Sequence, residues 1–118
     1  MTINFERLDA AITHASANPE AFDMGEWFKR TECGTVACLA GTVAIQAGWK
    51  PLFGPHGVTA MVERGDQLSG VSAAAATELG LEPGQRGIFF ADDLCAVIRI
   101  RNRWAREAGI PERSWESA

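Results

Sequence analysis

The chain says the same four residues twice inside its most apolar stretch. Residues 32–49 read ECGTVACLAGTVAIQAGW, with GTVA at Gly34–Ala37 and again at Gly41–Ala44. Seven residues is about two helical turns, so within one helix Gly34, Gly41 and Gly48 align along a single side. Glycine inside a helix costs about 1 kcal/mol relative to alanine, and close approach of a neighbouring backbone offsets that cost. Residues 35–47 are apolar nearly all round, which predicts a buried central helix. Val36, Leu39 and Val43 supply its larger face, and Gly34, Ala37, Cys38, Gly41, Ala44 and Gly48 a groove of small residues where another helix can lie. Gly48 would end the helix in a left-handed cap, with Pro51 beyond it.

The remaining segments predict helices packed around this one. Over 4–17, Phe5, Leu8, Ala11, Ile12 and Ala15 share one face, Asn4 is placed to cap, and Asn18–Pro19 stops the helix. PEAFDMGEWF follows as a turn or short helix whose Phe22, Met24, Trp27 and Phe28 read as core anchors. Residues 50–69 carry turn signals at Gly54, Pro55 and Gly57, with room for one short strand or hairpin near 58–62. An alanine-rich helix over 70–79 ends at Gly80, and Pro83 opens another short helical segment through Phe90. The last helix runs from about Asp93 to Ala108 with Asp92 as its cap. The fold expected is mainly α: a single domain over 1–118, about five helices round a central one, with 109–118 as a flexible tail.

A chain of 118 residues buries about two thirds of its unfolded surface, enough to need neither metal nor disulfide. Its longest apolar run, Val36–Ala47, is interrupted and too short to span a bilayer, so no membrane role is expected. The opening MTINFERLDA lacks a cationic region followed by an apolar one, so no signal peptide is expected. Three cysteines without framework spacing then read as reduced thiols in a cytoplasm. The formal charge of −4 speaks against a general nucleic-acid binder, yet it is unevenly placed. Residues 1–85 carry 5 bases against 10 acids, whereas 86–106 carry 5 arginines against 2 aspartates.

Four kinds of chemistry deserve weighing. Zinc is disfavoured: Cys33 and Cys38 are spaced C-x4-C instead of the close pairs of structural sites, and a helix would turn them roughly 140° apart. Neither a metal nor a cofactor is expected. Cys33 at a helix start could act as an activated nucleophile with His56 as base, oriented by Asp92 or Asp93. No cysteine-hydrolase signature surrounds it, however, and a packed structural thiol competes with that role. GDQLSG and GPHG lack the context of phosphate loops. The arginines are the fourth case. Arg99, Arg103 and Arg106 cluster on the outer side of the last helix, fit to dock an acidic protein surface or, less favourably, a nucleic-acid backbone. Arg101 instead projects from the apolar arc and demands a carboxylate or carbonyl, from Glu78 or an acid of the first helix.

FDMGEW at 22–27, CGTVACLAG at 33–41 and LGL at 79–81 resemble a group of small uncharacterised phage, prophage and bacterial proteins. Their pattern is F-x-M-x-x-W, then C-G-T-x-x-C-x-A-G, then a helix ending in L-G-L before a short Phe-containing helix. Members often carry His after the last Gly of the block, where this chain has Thr42. The resemblance implies a phage or mobile-element accessory protein acting in a bacterial cytoplasm. The expected function is accordingly a non-enzymatic module that binds and modulates a host protein or defence complex through Arg99, Arg103 and Arg106. Gly34, Cys38, Gly41, Gly48, Trp27 and Arg101 are expected to serve structure. A Cys33–His56 enzyme is the alternative, and nucleic-acid contact through the arginine helix the weaker one.

Overall fold

The structure, a computed structural model, describes residues 2–31, 34–53 and 58–115. It begins as the apolar spacing requires. Helix α1 spans Phe5–Ala17, and the Asn4 side chain accepts the Arg7 N–H at 3.0 Å. Leu8, Ala11, Ile12 and Ala15 are its buried residues. Asn18 closes the helix, its backbone N–H donating to the His14 carbonyl, and a single 3-10 turn, Pro19–Ala21, follows.

Beyond this point the mainly helical expectation fails. Phe28–Thr31 is a strand, β1, and Gly34–Ala37 is a second, β2, paired antiparallel with Phe28 opposite Ala37 and Lys29 opposite Val36. Only Leu39–Gln46 is helical, as α2. The first GTVA is therefore strand and the second helix, and Gly34, Gly41 and Gly48 never line one groove. Thr and Val suit extended backbone, and pairing with β1 decides the first copy. Cys38 divides the two: its thiol accepts the Gly41 N–H at 3.5 Å, standing in for the usual hydroxyl or carboxylate cap.

The backbone that approaches Gly41 is that of the strand hairpin's start, not of another helix. A Cβ at Gly41 would collide with the Trp27 carbonyl oxygen and lie 2.9 Å from Phe28 Cε1. Gly48 does end α2 at positive φ, and the Gly48 and Trp49 N–H groups close back on Ile45 and Ala44.

Strands within 50–70 build the whole of a second sheet and complete the first. Strand β3 is Lys50–Pro51, β4 is Val58–Thr59, β5 is Met61–Arg64 and β6 is Gln67–Gly70. The sheets run β2-β1-β4 and β3-β5-β6, antiparallel throughout. The hairpin β5–β6 turns on Gly65–Asp66, with glycine first and at φ +63°, a geometry matching the twist of paired strands. The molecule is thus mixed α and β, with helices in the majority and two small sheets.

Helix α3, Val71–Leu79, follows β6 directly and stops at Gly80 (φ +69°), where the Leu81 N–H folds back to Ala76. A 3-10 segment, Pro83–Phe90, leads to α4, Leu94–Ala108, capped by Asp93 instead of the expected Asp92. Helix α2 packs on both α1 and α3, and α4 packs on α1. Leu8, Ile12, Phe28, Leu39, Val43, Leu79, Phe89 and Val97 are buried where these elements meet. Each such side chain contributes about 1.5–3 kcal/mol of hydrophobic stabilisation. Among the described residues no helix is long and apolar enough to cross a membrane.

Candidate interaction surface

Helix α4 is the most strongly two-faced element. Val97, Arg101, Trp104 and Ala105 are buried, with Leu94 and Ile98 half-buried beside them. These positions recur at three- and four-residue steps and so share one side. Arg101 lies in the middle of that side with 3% of its surface exposed. Burying a guanidinium is costly unless all its donors are met. Asp9 of α1 supplies a bidentate partner, accepting from Nε at 2.8 Å and from Nη2 at 2.9 Å. Nη1 donates to the Pro111 carbonyl and to Asn102 Oδ1, both at 2.9 Å. Of the two sources weighed for the carboxylate, the first helix provides it.

Glu78 is engaged elsewhere. Its carboxylate accepts from Arg64 Nη1 at 2.8 Å and from the Trp49 indole at 3.3 Å, with Arg7 at 3.8 Å. Partial burial works to raise its pKa, but the bonds from Trp49 and Arg64 and the charges of Arg64 and Arg7 outweigh that and lower it. Arg64 also donates to the Ala47 carbonyl at the end of α2 and lies over the Trp49 ring. This joins α2, β5 and α3 at one point.

With Arg101 turned inward, Arg99, Arg103 and Arg106 point to solvent along the opposite side of α4. Arg106 meets Glu112 at 3.4 Å across an exposed pair, which is worth little in water. Among the described residues no ion pair is made by Arg99 or Arg103, although Glu107 lies one turn beyond Arg103. Arg7, Arg64, Arg101 and Arg113, by contrast, all reach a carboxylate. Two adjacent forked donors on an acidic molecule are therefore unanswered among the described residues.

The cysteine chemistry takes a different form from the one the sequence raised. Cys33 and His56 lie outside the described residues. Cys38 is buried, its S–H reaching toward the Trp27 carbonyl, and burial raises its pKa despite the Gly41 amide. A protonated, enclosed thiol is a poor nucleophile. Among the described residues no group of three His, Cys, Asp or Glu side chains is placed to hold a metal ion.

Two features escaped the sequence. Phe90, at the end of the 3-10 segment, is 69% exposed and meets Trp27 edge to face at 5.6 Å, beside an open groove of about 350 Å³ that Met24 and Asp92 also line. Within the segment expected to be a flexible tail, Pro111 and Arg113 are bonded to α4 and Trp115 to α1. A tryptophan in an otherwise polar terminus was the available signal for such docking. Comparison with protein-family models, curated proteins and solved structures finds no match to this chain.

Proposed function

We propose that this chain is a non-enzymatic interaction module that engages an acidic partner protein through Arg99 and Arg103, with Arg106 at the edge of the contact. The observation that carries this is the pair of outward guanidiniums on α4 that no carboxylate answers among the described residues. Their burial against a partner's carboxylates forms charge-assisted, two-pronged hydrogen bonds, which supply orientation as well as attraction. The sequence resemblance supports a phage or mobile-element accessory role in a bacterial cytoplasm, where the partner would be a host protein or defence complex.

The test is affinity capture from a bacterial lysate with wild type and with Arg99→Glu/Arg103→Glu, each first shown to be folded. A protein retained by wild type and lost by the double variant, with salt weakening its capture, supports the module. A partner held equally by both moves the interface off α4.

A further inference from the structure

Residues 110–115 are gripped in a way that reads a peptide backbone. Asn102 of α4 uses both ends of its amide on one residue, donating to the Arg113 carbonyl at 2.8 Å and accepting the Arg113 N–H at 3.0 Å. Two residues earlier, Arg101 Nη1 donates to the Pro111 carbonyl. On α1, Asp9 faces the Arg113 guanidinium at 3.5 Å and Thr13 Oγ1 accepts the Trp115 indole N–H at 2.9 Å. The spacings agree. Asp9 and Thr13 are one turn apart, about 6 Å along a helix, and alternate residues of an extended chain advance about 6.6 Å. The Trp115 ring also takes the guanidiniums of Arg113 and Arg101, at 4.6 and 5.7 Å. Residues 111–114 meanwhile stay exposed, so this segment is held by directed bonds more than by burial.

We propose that the α1–α4 surface is a receptor for an extended segment presenting arginine and, two residues on, tryptophan, and that it takes the 110–115 segment of a second copy by exchange. The same sequence in trans satisfies every contact just described. The segment turns out at the end of α4, where Gly109 stands at φ +72°, and swinging it away there releases one backbone bond of the cap, from the Ile110 N–H to the Ala105 carbonyl at 2.8 Å. Exchange of an identical element is a low-cost route to association. In one chain the short tether gives the cis segment an effective concentration on the order of millimolar, so wild type stays largely self-occupied when dilute. Arg99 and Arg103 make none of these contacts, so the outcome here and the outcome at the basic face are read separately.

Complementation tests this. Asn102→Ala/Thr13→Val spoils the receptor and keeps the segment; Arg113→Ala/Trp115→Ala spoils the segment and keeps the receptor. Circular dichroism establishes that both are folded, and each alone is expected to sediment as a monomer up to about 1 mM, the order of the tether's effective concentration. Mixed one to one, they are expected to form a heterodimer, because a free receptor meets a free segment. A mixture that sediments as two monomers overturns the proposal. Should the receptor variant not fold, a labelled synthetic peptide of residues 110–115 is titrated onto the segment variant. Saturable binding, weakened at least tenfold by alanine at the peptide's arginine, supports the receptor; no saturation overturns it.

Discussion

Among the described glycines, Gly41 is where a single added methyl group has the most to hit. Its Cβ would press on the Trp27 carbonyl, the Phe28 ring and Ala37 at once, and backbone cannot retreat as a flexible side chain does. Gly41→Ala is expected to destabilise by about 2 kcal/mol or more, although alanine favours helix, and denaturant unfolding would show a raised midpoint if the site were open. Asp9 is a second such residue. Asp9→Ala leaves Arg101 buried without its carboxylate, and removal of one partner from a buried pair costs about 3–5 kcal/mol; a loss within experimental error would mean that the guanidinium reaches water. Glu78 adds a pH dependence. Its pKa is lowered in the fold, so the unfolded chain takes up the proton first as pH falls. The contribution is then whole above the ordinary carboxylate range of roughly 4–4.5 and is lost as pH drops through the folded value. Glu78→Gln should therefore melt below wild type at pH 7 and converge with it once the pH has fallen below the lowered folded value. A gap that persists there would assign the effect to packing.

Among the elements, α1 and α4 were legible in detail because each alternates a buried and a wet side over at least three turns. The two faces of α4 also carry a prediction. Arg99→Glu/Arg103→Glu is expected to leave the melting temperature within a degree or two, since exposed charges away from pairs change stability by about 0.5 kcal/mol or less; a large drop would show that these arginines hold the fold together. The strands were harder to see for specific reasons. Gly34–Ala37 is only four residues, a length at which periodicity does not separate strand from helix. Cys38 is an unusual cap, so the true start of α2 carried no familiar signal. For β5–β6 the sequence does carry a signal, the two-residue turn Gly65–Asp66 with glycine first, but it lies beyond the strand or hairpin expected near 58–62. Asn102 and Asp9 as peptide-gripping residues were not legible, because the residue they hold, Arg113, lies 11 and 104 positions away.

For the whole molecule, the choice between a helical bundle and a mixed fold is made at residues 34–48. If GTVAC continued into the helix, β1 would lose the partner that pairs with all four of its residues, Phe28 to Thr31, and the sheet β2-β1-β4 would not exist. As it is, β1 carries Phe28 into the core, its preceding carbonyl rests on Gly41, and Cys38 turns the chain between the two. The segment therefore couples the sheet to α2, and α2 in turn carries α1 and α3. Everything about the outer face of α4 depends on this frame, since α4 is positioned by α1. Backbone carbon chemical shifts measured by nuclear magnetic resonance decide the matter directly, because identical tetrapeptides are compared within one protein. Val36 and Ala37 are expected to shift in the direction of extended backbone and Val43 and Ala44 in the direction of helix. Helical shifts at all four would restore one continuous central helix and contradict the fold described here.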